Sequence, residues 1–238
     1  MRKTETKIIS KILSQAIQLW LKTQVELVMG LELKIQSSDR QLLQGYIPTV
    51  FLQSHGAVYQ GIHVGDIDLT AENIRVNLGA ILKGKPLNLL APIKVTGKLL
   101  VAESQLRASL SSPLLSQGLN DLFTTILKSL DHNPKSILQD NQIYWSDVTI
   151  NQDKVTLIGN LNNNINQQIM ITMGLALINS QVLHLDPLCL EGLPQLPIVT
   201  INDFAVDFGP LVDLQAVNLT QGKLSCCGGL QVMPAPEI

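Results

Sequence analysis

Aromatic residues make up 4% of this 238-residue chain and charged residues 15%. So few rings leave little to stack on bases, and a formal net charge of −2 gives no long-range pull on a polyanion, so nucleic acid is not an expected partner. Cysteine is scarce as well. Cys189, Cys226 and Cys227 are odd in number and lack the spacing of a disulfide framework. Adjacent Cys226 and Cys227 point to opposite faces of an extended segment, which speaks for reduced, packed thiols. No run of about 20 apolar residues occurs, so no membrane-spanning helix is expected. The first 30 residues begin basic, but Lys7, Lys11, Gln15, Gln18 and Lys22 interrupt every apolar stretch, unlike a secretory signal. The expectation is a cytoplasmic chain, peripheral to a membrane at most.

Motifs that carry chemistry are missing too. There is no GxSxG, HExxH, P-loop or CxxC pattern. His63 and Asp66 share a strand face only if Gly65 forms a bulge. His184 and Asp186 do share one, with Cys189 nearby, yet neither set reaches a ligand cluster. Ser38 beside Asp39 and Arg40 reads as a helix cap, because Gln41 stands at the capping-box position. His132 sits at a helix end, where the helix dipole accounts for it. These residues give a chain that is not an enzyme and needs no cofactor or metal.

What the chain has is aliphatic mass: 45% of it is hydrophobic, mostly Leu, Ile and Val. Thr4 to Met29 reads as one amphipathic helix, with Ile9, Ile12, Leu13, Ala16, Ile17, Trp20 and Leu21 at spacings of three and four. Lys7, Lys11 and Lys22 occupy the other face, so this helix packs on a core or touches a membrane surface. Ser112-Pro113 starts a second long helix, whose stripe is Leu115, Leu119, Leu122, Ile126 and Leu130. Leu31 to Gln36, most of Ile47 to Val101, and Gln142 to Val232 alternate with period two and read as strands. Asn162 to Asn166 reads as a polar turn. Gly56, Gly61 and Gly65 interrupt the pattern and predict bulges that curl the sheet.

Runs of strands without alternating helices give an antiparallel α+β fold. The expected architecture is a strongly curved antiparallel sheet wrapped around two long amphipathic helices. Residues 1–29 belong to the same domain as 30–232, and 233–238 form a loose tail. If the helices leave a gap, it is aliphatic and suited to an acyl chain. The candidate cavity residues are then Ile9, Leu13, Ile17 and Trp20 on the first helix and Leu115, Leu119, Leu122 and Ile126 on the second. If the helices fill the sheet, the chain is a structural or protein-interaction module.

Several segments resemble one family. They are Gln36 to Pro48 (QSSDRQLLQGYIP), Ala57 to Gly61 (AVYQG), Glu72 to Leu78 (ENIRVNL), Leu82 to Leu87 (LKGKPL) and Ala108 to Leu115 (ASLSSPLL). In this order they resemble the LmeA-like phospholipid-binding proteins, in the branch found in photosynthetic bacteria and plastids. The resemblance covers about Gly30 to Val232. It implies a fold similar to the tubular lipid-binding proteins and a non-catalytic role in binding or transferring phospholipid. It transfers no catalytic residues.

Overall fold

The computed structural model describes residues 2–138, 142–161, 167–193 and 196–234, with side chains for all of these except 2–10, 24 and 136. The turn expected at Asn162 to Asn166 and the tail residues 235–238 lie outside the described residues. The first part of the chain runs α1 (Arg2–Gln24), β1 (Leu27–Met29), β2 (Glu32–Gln36), α2 (Asp39–Leu43), β3 (Tyr46–Ser54), β4 (Gly56–Tyr59), β5 (Ile62–Val64), β6 (Ile67–Arg75), α3 (Leu78–Ile81) and β7 (Ile93–Ala102). Then follow α4 (Glu103–Ser109), α5 (Pro113–Ser129), α6 (Pro134–Leu138), β8 (Ile143–Ile150), β9 (Val155–Leu161), β10 (Gln168–Leu177) and β11 (Val182–Glu191). The chain closes with β12 (Val199–Ile201), β13 (Phe204–Asp207), β14 (Val212–Thr220) and β15 (Lys223–Val232).

The described strands form three antiparallel sheets. One large sheet has the order β14-β15-β7-β6-β3-β2, so its last two strands return to pair with β7. The other has the order β12-β11-β10-β9-β8, with β13 also paired to β11. A small sheet of β1, β4 and β5 completes the set.

This overturns the expectation of one curved sheet wrapped around two long helices. The described chain is mostly strand, and only α1 and α5 exceed seven residues. Those two helices lie in separate cores. Leu13 and Ile17 of α1 pack with the β3, β6 and β7 residues Ile47, Val50, Ile74 and Ile93. Phe123, Ile126 and Leu127 of α5 pack with Val148, Ile150, Ile169 and Leu188 of the second large sheet. The physical reason is that β8 to β13 pair with one another in a sheet of their own and so offer α5 a separate apolar face. An amphipathic stripe shows that a helix is covered; it does not show by which sheet.

Local signals place most elements. Ser112 caps α5 by accepting the Leu115 N–H at 3.2 Å, with Pro113 next in the first turn. The Ser38 N–H donates to Gln41 Oε1 at 2.9 Å, completing the cap of α2. The first helix ends at Gln24 rather than Met29, because Leu27–Met29 leave it to pair with Gly56–Val58. Gly56, Gly61 and Gly65 are not bulges inside strands. Gly61, at φ +75°, forms the β4–β5 turn with Gln60, and the other two lie at strand junctions. Register shifts occur instead between Trp145 and Asp147, Met173 and Leu175, and Leu214 and Ala216. One close strand approach is at Gly97, where a Cβ would stand 2.1 Å from the Asp68 carbonyl oxygen.

Polar contacts tie the two large sheets together around α4. Arg107 bonds Asp147 through Nε, and its other nitrogen donates to Glu103 Oε1 and to the Val148 carbonyl, each at 3.0 Å. Glu103 Oε2 accepts the Ile150 N–H at 2.8 Å. The hydrogen bond from Arg107 holds the Asp147 carboxyl below its ordinary range. A depressed carboxylate contributes stability above its unfolded pKa, and that contribution is lost as pH falls through the folded value.

Two outcomes follow. Gly97→Ala should lower unfolding stability by about 3 kcal/mol in urea titration, the upper end for overpacking, since backbone and not a flexible side chain blocks the methyl. Arg107→Ala should lower the urea midpoint near neutral pH, and the gap to wild type should close in acid as Asp147 protonates. A gap that persists unchanged in acid would contradict the assigned pairing.

Candidate functional site

The site follows from strand alternation in the sheet that carries α1. On its inner face, Ile35, Val50, Ala71, Val95 and Leu230 stand in one register row across β2, β3, β6, β7 and β15. The next inner row is Leu33, Leu52, Leu69, Gly97 and Gly228. The outer row between them in β2 begins at Lys34, and the one beyond is Glu32, Gln53, Asp68, Lys98 and Cys227. One face is therefore aliphatic and the other charged or polar.

An α-helix is about 10 to 12 Å across and strands are spaced about 4.8 Å apart, so one helix covers roughly two strands of six. The α1 helix lies against β2 at one edge. Toward the other edge the apolar face is less covered: Leu99 is 36% exposed and Leu230 48%. Between these limits lies a cavity of about 260 Å³. Ile17, Trp20 and Leu21 of α1 form one wall. Residues of β2, β3, β6, β7 and β15, with Val76, Leu87 and Leu89, form the rest. No lining side chain carries a polar group except the indole N–H of Trp20. A dry aliphatic cavity of on the order of 150 Å³ already admits benzene, so this one has room for a segment of hydrocarbon chain.

Cys226 stands on the same inner face, two residues from Gly228, and Cys227 points to the outer face. Burial pushes the Cys226 thiol up, and neighbouring Cys227 adds to the effect, so it stays a neutral, soft apolar group.

The sequence-predicted residues divide into two groups. Ile17 and Trp20 line the cavity, and Leu13 is buried in the core beside it. Ile9 lies in α1, outside the residues whose side chains are described. Leu115, Leu119, Leu122 and Ile126 of α5 meet one another in the second core and do not line this cavity. The structure thus does not bring the two helical stripes together. Ala71, Leu87, Leu89, Val95 and Leu230 supply further cavity walls that helical periodicity does not mark, because none of them lies on a helix.

The polar residues weighed for chemistry take other partners. Asp66 pairs with exposed His55 at 3.2 Å rather than with His63, and His184 Nε2 faces Asp203 at 3.2 Å rather than Asp186. A separate, wide trough of about 820 Å³ holds Glu32, Asp66 and Asp68 together with Lys98 and His55, so its charges are mixed in sign. Among the described residues, no group of three or more His, Cys, Asp or Glu side chains could hold a metal ion. No described helix is long and apolar enough to cross a membrane.

No curated protein and no solved structure matches the chain. One family does, over residues 4–226, a span that takes in nearly all of α1, every cavity wall except Leu230 and Val232, and all the strands but the latter part of β15. With a match over nearly all of its 238 residues, the chain belongs to the LmeA-like phospholipid-binding family.

Proposed function

We propose that the chain binds phospholipid non-catalytically by laying acyl-chain methylenes in the cavity between α1 and the inner sheet face. The observation that carries this reading is the lining: an aliphatic hollow with a single polar atom group, on a face that one helix cannot cover. Each methylene moved from water into it contributes about 0.8 kcal/mol. A few carbons therefore suffice for useful affinity without a dedicated polar contact. Water gains nothing there, since it would find no partners beyond one indole N–H. Ile17 and Trp20 form the helical wall, and Leu230 marks the more open side toward β14. On this reading the α5 residues stabilise the second sheet, and carrying lipid between membranes is the function that an accessible, weakly polar site serves.

The test is native mass spectrometry of the folded protein after incubation with phospholipid, together with two substitutions. Ala71→Phe fills the cavity from β6 and should lower bound phospholipid about tenfold, with a stability loss under about 1 kcal/mol because the added ring enters free space. Leu119→Trp, on α5, should leave occupancy unchanged. Full occupancy in Ala71→Phe, or a loss confined to Leu119→Trp, would place the ligand elsewhere.

A further inference from the structure

We propose that the end of the molecule carrying α3 docks on an anionic phospholipid bilayer, at the rim of the acyl-chain cavity; this rests on the reading of that cavity given above. Three large leucines from three segments are exposed here: Leu43 at 59%, Leu82 at 50% and Leu90 at 61%. They border one shallow hollow of about 430 Å³ floored by Val76 and Leu78. Scattered surface leucines need no explanation, but three converging on one hollow do.

The arrangement is held in place. Gly45, at φ +69°, ends α2 where a Cβ would stand 2.6 Å from the Val76 carbonyl oxygen, and its own carbonyl accepts the Val76 N–H at 2.9 Å. This brings Leu43 against the α3 segment. The Asn77 side chain donates to the Pro86 carbonyl at 3.0 Å and accepts the Asn88 N–H at 2.8 Å, closing the loop that presents Leu82.

Charge selects the occupant. In a chain of net charge −2, residues 73–92 contain no Asp or Glu but include Arg75, Lys83 and Lys85. Lys83 and Lys85 are exposed and follow Leu82 directly, and exposed Arg40 lies on α2 beside Asp39, the one carboxylate of that helix. Leucines set among flexible lysines suit the interface of an anionic bilayer, with side chains among the acyl chains and ammonium groups on the phosphates. The hollow is also continuous with the lipid site. Val76 lines both, and Leu89 in the cavity precedes exposed Leu90. A bilayer on this end therefore meets the rim through which a chain would pass.

The experiment is co-flotation of the full chain with vesicles of phosphatidylglycerol or of phosphatidylcholine. The expected result is binding to the first, weaker binding to the second, and loss of the difference at high salt. Lys83→Gln with Lys85→Gln should weaken the phosphatidylglycerol binding about twenty-five-fold, from about fivefold per lysine. Leu82→Asp with Leu90→Asp should abolish it. All four positions are exposed, so the melting temperature should not move. Both variants should still load phospholipid presented in detergent micelles, which separates failed docking from a failed cavity. Equal binding of wild type and variants, equal binding to both vesicle types, or no binding by wild type would overturn the proposal. So would self-association in solution that Leu82→Asp/Leu90→Asp removes while flotation persists, which assigns the hollow to a second copy.

Discussion

A six-stranded antiparallel sheet with one aliphatic face must keep that face from water, and here its main helical cover is α1. Five strand spacings of about 4.8 Å make the face roughly 24 Å wide, twice the width of a helix. Leu13 and Ile17 close the part beneath α1, and β15 and β14 lie toward the part that is left. The second large sheet poses the same problem and solves it differently. There α5 and α6 are joined by Leu106, Leu219 and Leu224 from α4, β14 and β15, and the core is continuous. The contrast between a filled face and a partly covered one is what locates the candidate site.

The coupling between the halves follows from the same topology. Strands β14 and β15 leave the second half of the chain and return to pair with β7, so the sheet that walls the cavity cannot form from the first half alone. Leu230 and Val232, near the end of the described chain, line the cavity opposite Ile17 and Trp20 near its start. The contacts of Glu103, Arg107 and Asp147 sit where the chain passes from one sheet to the other. The cavity is therefore a property of the closed fold rather than of any local segment.

Strand positions, the two long helices and the caps of α2 and α5 were largely legible in the sequence, because alternation at residues such as Leu31 to Gln36 and the Ser112-Pro113 start are local signals, whereas the end of α1 was not, since β1 is set by its pairing with β4. The family resemblance pointed to phospholipid before the fold was known. Sheet partnership was not legible. Nothing in the stripe of Leu115, Leu119, Leu122 and Ile126 says that β8 to β13 would form a separate sheet beneath it. Nor does the alternation of Ile74, Val76 and Leu78 reveal that β6 ends at Arg75 and that Leu78 opens α3. The cavity was half legible for the same reason. Ile17 and Trp20 are marked by helical period, whereas Ala71 and Leu230 become neighbours of that helix only through long-range register.

The central claim is that an acyl chain lies against α1, and the chain's two tryptophans allow a direct test. Trp20 lines the cavity, while Trp145 is buried in the second core with its indole N–H donated to Asn120. The measurement is tryptophan emission on addition of phospholipid brominated along its acyl chains. The account predicts quenching in the wild type that disappears in Trp20→Phe, where only Trp145 emits. Emission unaffected in the wild type, or quenching undiminished in Trp20→Phe, would contradict it.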